Sequence, residues 1–434
     1  MTNAFEASRS SFKLTQWLVV GSLILFPLFV VTADLVPGLA YVLLFFLGVF
    51  YFFYAYYRGR LAFKGAEKVF FLALCGLYPA ALLTVLIAEV DLARGDRFLV
   101  FISAIPVYLA CREIKVGHFW IWGGLIAGAL LSAAVAFYQV LGPERLPRAV
   151  GVVHPIIFGN LALTMGVLPL VAFLLRDGSV GKILKYLVLA GFICGLAASA
   201  LSKARGGWVA LLPVLLLYFW VFSRYLPVRK ILLAFAALIV ALFMAYQSPS
   251  TGLQPRVELT VDNIARYFES DSVKDSARAT SIGSRFEMWK SAWKMFQDNP
   301  LFGGGWGEFR KHTQALIAQG EISPAVGRYY HAHNQYLSTL AKGGMVSFLA
   351  LMALLLVPGW LFLRTVLRDA DDQRKSFALA GFALILLYMG FAMSEAIFER
   401  SRPILFFSFY LAVFMAQVLR PDATESKPVD QGSQ

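Results

Sequence analysis

Charged residues are scarce in this sequence. Only 15% of its 434 residues are Asp, Glu, Lys or Arg, whereas 59% are hydrophobic, and the mean hydropathy is +0.67. Soluble globular domains carry about 25% charged residues, so the composition favours a membrane protein. The three cysteines, Cys75, Cys111 and Cys194, have no paired spacing. The sequence therefore predicts neither a disulfide framework nor a cysteine zinc site.

Several motifs of soluble enzymes are also missing. The sequence contains no P-loop, no GxSxG nucleophile motif, no DxD-like acidic pair in a soluble segment and no nucleotide-binding glycine pattern. A nucleotide-sugar donor is thus unsupported. The net charge of +13 does not indicate nucleic acid, because the basic residues are concentrated in alternate loops between apolar runs, as the positive-inside rule requires.

What the sequence has instead is a series of long apolar runs. About twelve are long enough to cross a hydrocarbon core of roughly 30 Å, and together they predict an all-α, polytopic transmembrane bundle. The expected spans are 16–36, 38–57, 68–90, 97–111, 118–141, 153–175, 183–201, 206–223, 230–246, 338–363, 376–395 and 403–419. The charge distribution places both termini in the cytoplasm.

One large interruption separates the ninth and tenth spans. The expected organisation is spans 1–9 in residues 1–246, an outer loop domain in 247–333, spans 10–12 in 334–419, and a cytoplasmic tail in 420–434. Within the loop, Ser284 is expected to cap a helix that ends at Asn299 before Pro300. A second helix is expected from Glu308 to Gln319.

Two features on the outer side suggest chemistry. Lys203 and Arg205 lie in a short turn before Gly206, where guanidinium and a helix amino terminus could bind phosphate. The alternative is that Arg205 reaches lipid headgroups. His333 follows His331 where the loop re-enters the membrane, and histidine can take up a proton near neutral pH.

Other interpretations of the acidic and histidine residues are open. His331 and His333 are compatible with structural roles, or with zinc if His312 joins them. Glu395 and Glu399, four residues apart, could share a helical face as the carboxylates of a retaining glycosidase. Alternatively, Arg400 and Arg402 pair with them at a helix end.

Three segments, in order, resemble the signature of the O-antigen ligase and polymerase superfamily. They are SKARGGW at 202–208, SRFEMWKSAWKMFQDNPLFGGGWGEF at 284–309, and HAHNQYLSTLAKGGMVSFL at 331–349. Two departures are visible: Lys203 and Ala204 separate Ser202 from Arg205, which are adjacent in the usual signature, and residues 345–347 lack a second glycine.

The resemblance implies a GT-C-like membrane glycosyltransferase with a helical periplasmic loop domain between spans 9 and 10. Such an enzyme, in the bacterial inner membrane among membrane lipids, transfers O-antigen glycan from undecaprenyl diphosphate to the lipid A core oligosaccharide. It inverts the anomeric centre and needs no metal, cofactor or nucleic acid. O-antigen polymerase and protein O-oligosaccharyltransferase share these motifs, and a lipid-linked glycan transporter or a membrane-anchored binding protein is the alternative from another class.

Each candidate residue has an expected role in this reaction. His333 is the expected catalytic base. Arg205 and Arg285 are expected to hold the diphosphate, with Arg266 and Lys203 as lesser candidates. Asn334 and Gln335 are expected to position a sugar or the histidine.

Overall fold

The computed structural model describes most of the chain, and the described part is all-helical, without strands. The described residues are 2–175, 181–204, 206–230, 232–233, 236, 239–240, 247, 253–269, 272, 275–368 and 371–420. Arg205, which was expected to hold the diphosphate, lies outside them.

Fifteen α-helices are named here within the described residues. They are α1 (Thr2–Phe29), α2 (Val36–Tyr57), α3 (Gly65–Ile87), α4 (Leu99–Glu113), α5 (His118–Leu141), α6 (Pro155–Val167), α7 (Lys182–Leu201), α8 (Gly206–Phe222), α9 (Leu253–Glu269), α10 (Ser276–Ala279), α11 (Ser281–Asp298), α12 (Phe309–Ala318), α13 (Gln335–Leu367), α14 (Asp372–Ala392) and α15 (Ser401–Leu419).

The polytopic helical fold is confirmed. Eight helical segments of the described residues are long and apolar enough to span a membrane, and two shorter apolar helices accompany them at Lys13–Phe29 and Gly206–Phe222. With the 15-residue α4, these account for eleven of the twelve expected spans. The ninth, 230–246, falls almost entirely outside the described residues.

Three elements form the centre of the bundle. The segment Pro155–Leu174, which continues α6 through a 3-10 turn, is 83% buried, α15 is 78% buried and α14 is 72% buried, whereas α2 is only 28% buried. In a bilayer, lipid-facing positions stay apolar without being covered by protein. The peripheral helices therefore face lipid, and the central three hold the site described below.

The ends of the helices fall on two faces. On the face from which the large loop emerges, called the loop face here, contacts join Asp34 to Arg402, Ala149 to Leu201, and Arg97 to Glu399. On the opposite face, contacts join Arg112 to Glu67, Arg420 to Cys111, and Lys375 to Tyr225. Each set gathers residues that the charge distribution assigns to one side.

The large loop is built around one buried carboxylate. Glu287 in α11 is fully buried, and its Oε1 accepts hydrogen bonds from Arg278 at 2.7 Å and from Tyr267 at 2.8 Å. Its Oε2 accepts one from the Ser323 backbone N–H at 2.6 Å. Because a buried charge is costly unless it is fully bonded, Glu287 fixes α9, α10 and the segment at Ser323 to α11.

The two helices expected in this loop are present, with one correction. Helix α11 begins at Ser281, one turn earlier than expected, and its cap is Thr280, whose hydroxyl accepts from the Gly283 backbone N–H at 3.1 Å. Ser284 is not the cap, because it lies inside the first turn. Helix α12 has the expected bounds, since Glu308 and Gln319 are its flanking residues.

Helix α13 is broken at Gly344, and the break receives the segment after α11. Gly344 has φ +60° and ψ −164°, which is not helical. The backbone N–H groups of Met345 and Val346 donate to the carbonyls of Pro300 and Leu301 at 2.8 and 3.1 Å. Backbone groups that the break frees are thereby satisfied, and the loop is joined to the membrane bundle.

This joint predicts a position-specific effect of alanine. Gly344→Ala would put a Cβ 2.3 Å from the Leu301 carbonyl oxygen at a positive φ, so we expect a loss of about 1–3 kcal/mol of unfolding free energy. Gly76→Ala in α3, where a Cβ meets nothing within 4 Å, is the control. Thermal unfolding in detergent measures both, and equal stability of the two variants would contradict the prediction.

Candidate active site

The segment before α13 is held rigidly at the loop face. Asn334 caps α13, with its Oδ1 accepting from the Leu337 backbone N–H at 3.1 Å. The Ala332 carbonyl accepts a hydrogen bond from the indole N–H of Trp289 at 3.0 Å, and the Ala332 backbone N–H donates to the Ser338 hydroxyl at 3.1 Å. The two histidines on either side of Ala332 are therefore fixed between α11 and α13.

His333 pairs with Glu395, a residue of the loop between α14 and α15. Its Nδ1 lies 2.9 Å from Oε2 of Glu395, and the side chains are 19% and 1% exposed, respectively. Burial raises the pKa of Glu395, but the hydrogen bond from His333 and the nearby positive charges outweigh it, lowering that pKa to about 2. Glu395 is thus ionised at neutral pH, so Nδ1 of His333 carries a proton and donates.

The backbone at His333 is strained in a way that fits a functional residue. Its φ is +47°, in the left-handed region that non-glycine residues seldom occupy. The backbone N–H of His333 donates to Nδ1 of His331 at 3.2 Å, and the ring packs edge-on against Tyr329 with centroids 5.5 Å apart. Because Nδ1 is bound by Glu395, Nε2 is the nitrogen left to accept a proton.

His331 is a buried neutral histidine. Burial lowers its pKa to about 4, against the smaller opposing effect of Glu399 and Glu395. Its Nδ1 accepts a hydrogen bond from the His333 backbone N–H at 3.2 Å, and its Nε2 lies 3.6 Å from Oε1 of Glu395 and 3.3 Å from Nη2 of Arg400. His331 therefore shapes the site rather than taking up a proton at neutral pH.

Donor atoms of His331, His333 and Glu395 lie within 4.8 Å of one another, which is compatible with a metal site by distance alone. The surroundings fit a metal poorly, because a guanidinium nitrogen of Arg400 lies 3.3 Å from Nε2 of His331 and the His333 backbone N–H donates to its Nδ1. A metal ion bound at His331 would lie close to the positive charge of Arg400. His312 does not complete a set with them, since it lies in α12 and faces Asp298 at 3.8 Å.

A second buried pair fastens the Glu395 loop. Both carboxylate oxygens of Glu399 accept from Nζ of Lys342, at 2.7 and 2.8 Å, and the side chains are 8% and 3% exposed. The Phe398 N–H donates to Oε1 of Gln335 at 2.8 Å. The loop is thus bound at three points: Glu395 to His333 just before α13, Phe398 to Gln335, and Glu399 to Lys342 within α13.

This arrangement overturns one interpretation of the acidic residues and corrects a second. Glu395 and Glu399 do not share a helical face, because α14 ends at Ala392 and only a 3-10 turn follows at Ile397–Glu399. With Glu399 held by Lys342, the pair does not have the form of two glycosidase carboxylates. The expected pairing with arginines is confirmed for Arg400, whose Nε lies 3.9 Å from Oε1 of Glu395, but it is wrong for Arg402, which pairs with Asp34.

The turn before α8 lies beside the same loop. A Cβ on Gly206 would lie 2.3 Å from the Ser394 hydroxyl, next to Glu395, and one on Gly159 would lie 2.1 Å from the Ser202 hydroxyl. The Ser202 side chain is buried and accepts from the Ala204 N–H at 3.2 Å, which shapes the turn. The first helical residue of α8 therefore adjoins the residue before Glu395.

The remaining cationic candidates occupy different surroundings. Lys203 is exposed, with φ +59°. Arg285 is half-buried in α11, and helical spacing places it one turn before Trp289 on the same side of the helix. Trp289 in turn donates to the Ala332 carbonyl. Arg266 is 64% exposed and pairs with Asp262 at 2.9 Å.

The sequence expectations missed the role of Glu395 and did not include His154. Glu395 was considered as a glycosidase carboxylate and as an arginine partner, but not as the partner of His333. His154 caps α6, and burial lowers its pKa, followed in size by the effect of Arg400. The sequence places Glu395, His154 and His333 on the same predicted outer side of the membrane. Their spacing along the chain does not predict which of these side chains are in contact.

Buried His331 predicts a pH-dependent stability. Its folded pKa of about 4 lies below the ordinary 6.5, so the unfolded chain takes up this proton first and stability falls as pH drops from about 6.5 towards 4. At pH 5 the loss is about 2 kcal/mol relative to pH 7.5. Unfolding of wild type and His331→Gln at both pH values tests this: we expect a shallower pH dependence in the variant, and parallel curves would refute it.

Comparison with known proteins agrees with this geometry. Residues 190–352 match the O-antigen ligase family; they include the turn before α8, the large loop and the start of α13. The chain is also 25% identical over 345 residues to an uncharacterized protein of Haemophilus influenzae, covering 78% of this chain and 83% of that one. The segment from residue 190 to residue 352 is therefore similar to the O-antigen ligase family, and it lies within a polytopic helical membrane protein.

Proposed function

We propose that this protein is a membrane glycosyltransferase that transfers O-antigen glycan from undecaprenyl diphosphate to the lipid A core oligosaccharide. The observation that carries the proposal is the His333–Glu395 pair at the loop face, whose histidine lies in the segment that matches the O-antigen ligase family. In this proposal the loop face is the periplasmic side of the bacterial inner membrane, and both termini are cytoplasmic.

His333 acts as the base in a single displacement. Its Nε2 takes the proton of the acceptor hydroxyl, while Nδ1 stays bonded to Glu395, whose negative charge stabilises the imidazolium that forms. The acceptor oxygen bonds to the anomeric carbon of the donor glycan. The bond from that carbon to the diphosphate breaks, so the anomeric centre inverts. Diphosphate leaves as an anion, which requires no proton donor, metal or cofactor.

The leaving diphosphate needs cations near the anomeric carbon. Arg285 is the best-supported one among the described residues, because it is half-buried, on the Trp289 side of α11, and forms no ion pair with another described residue. Arg205 joins it in the proposal through its place in the turn between Ala204 and Gly206. Lys203 and Arg266 are secondary, since both are exposed.

Asn334 and Gln335 serve as positioning residues. Nδ2 of Asn334 donates to the Met393 carbonyl at 3.3 Å, and Nε2 of Gln335 donates to the Thr339 hydroxyl at 3.0 Å. Their amide groups are occupied in holding α13 and the Glu395 loop together. They act on the reaction through the geometry of His333.

The competing transporter function has less support. A transporter route requires charged groups along the bundle interior. The buried charged side chains of the described residues lie near helix ends or in loops: Glu67, Glu287, Lys342 and Glu395. Three of the four lie in the large loop or at the loop face, and Glu67 lies on the opposite face beside Arg112, so they do not form a continuous route through the bundle.

The base assignment predicts a large and specific loss of activity. His333→Ala should lose about 10²-fold or more in kcat because the acceptor proton has no recipient, and Glu395→Gln should cause a smaller loss in kcat with little change in either KM. His312→Gln, an outer-loop histidine remote from the pair, is the control. The assay follows the lipid A core acceptor by gel mobility with lipid-linked glycan as donor. Near-full transfer by a folded His333→Ala would remove this residue from the mechanism.

The diphosphate assignment predicts a donor-specific effect. Arg285→Gln should raise the KM for the lipid-linked donor about tenfold, the size of a lost charge-assisted hydrogen bond. Lys290→Gln in the same helix is the matched control, because Nζ of Lys290 donates to the Glu321 carbonyl at 2.8 Å on another side of α11. An unchanged donor KM in Arg285→Gln, with the acceptor KM raised instead, would reassign this arginine.

A further inference from the structure

A separate cavity opens at the loop face behind His331. Its volume is about 310 Å³, and its basic lining residues come from three parts of the chain: Arg94 and Arg97 before α4, Lys342 in α13, and Arg400 before α15. Small-ligand pockets have volumes of about 300–1,000 Å³. Lys203, Arg266 and Arg285, the described diphosphate candidates, are not among its lining residues.

The charge of this cavity is strongly unbalanced. Glu399 is its single acidic lining residue, and both of its oxygens are bound by Lys342. Arg94 and Arg97 form no ion pair with another described residue, and Arg400 reaches a carboxylate only at 3.9 Å. Arg94 and Arg97 thus line the cavity without an ion-pair partner among the described residues, and guanidinium binds phosphate and carboxylate groups through two parallel hydrogen bonds.

The large loop leaves space for one of these arginines. Gly307 has φ +100°, and a Cβ there would lie 2.2 Å from Nη1 of Arg94. Arg97 is held by a hydrogen bond from its Nη1 to the Glu399 carbonyl at 3.3 Å. Trp306 also lines the cavity, and its indole N–H is buried with no hydrogen-bond partner among the described residues.

The cavity is placed to serve the acceptor rather than the donor. His331 forms part of its wall, and the rings of His331 and His333 are only 4.4 Å apart between centroids. A group bound against His331 is therefore separated from the proposed base by one imidazole ring, and the base acts on the acceptor hydroxyl. The donor diphosphate is assigned to cations on other elements.

We propose that this cavity binds an anionic group, phosphate or carboxylate, of the acceptor glycolipid, and so selects acceptors that carry such a group close to the reacting hydroxyl. This inference rests on the proposed transfer reaction. It adds a second anion site to the enzyme, one that acts on acceptor choice and not on the leaving diphosphate.

The test compares the double variant Arg94→Gln/Arg97→Gln with wild type, using full-length protein in nanodiscs. Lys290→Gln, which removes an outer-loop cation away from the cavity, is the control. The probes are a phosphorylated lipid A core glycolipid, the same lipid after phosphatase treatment, and lipid-linked glycan as donor. Direct binding of both acceptors is measured beside two-substrate kinetics, and a melting temperature near that of wild type shows that the variant is folded.

We expect the double variant to bind the phosphorylated acceptor about tenfold or more weakly, with kcat and donor KM changed by less than about twofold. If phosphate is the recognised group, the dephosphorylated acceptor should bind wild type as weakly as it binds the variant; if it is carboxylate, the dephosphorylated acceptor should still bind wild type more tightly than the variant. Unchanged acceptor binding, or a raised donor KM instead, would overturn the proposal; the second result would assign the cavity to the donor diphosphate. A wild type that binds the acceptor through these arginines but transfers no glycan would refute the transferase function and leave the anion site standing.

Discussion

The structure of the site depends on the break in α13 at Gly344. A continuous helix would have no free backbone N–H groups at Met345 and Val346, and the segment after α11 would have nothing to bond to. With the break, Pro300 and Leu301 join the membrane bundle directly through backbone hydrogen bonds. Because backbone bonds fix orientation as well as distance, the large loop is held in one position over the bundle.

Two acid–base pairs continue from this joint, and they do different work. The Lys342–Glu399 pair is almost fully buried and has no free oxygen, so it serves as a tether whose removal would leave a costly unpaired charge. The His333–Glu395 pair keeps one nitrogen free. The Lys342–Glu399 pair holds the Glu395 loop against α13. His333, whose backbone is strained, therefore stays at a fixed distance from the Glu395 carboxylate. The strained backbone conformation at His333 persists only because the surrounding structure holds it in place.

The sequence predicted more of the fold than of the site. Apolar length and loop charge are local properties, and they were enough for the spans and for the division of loops between two faces. The bounds of α12 followed from a glycine cluster and the residues after it. The cap of α11 was misplaced because Thr280 and Ser284 are equally good caps, and the choice depends on the contacts of Glu287 with Arg278. The partner of His333 lies 62 residues away, and no local pattern distinguishes Glu395 from Glu399.

The family match is narrower than the functional unit. Residues 190–352 contain His333, Arg285 and the turn before α8, but Glu395 lies beyond the end of the match. Without that carboxylate, nothing in the matched segment orients the imidazole through Nδ1. The basic cavity also includes residues outside the matched segment, since Arg94 and Arg97 lie before the match and Arg400 lies after it. Residues inside the match would therefore supply the chemistry common to such enzymes, whereas the surrounding helices orient the base and, in our proposal, choose the acceptor.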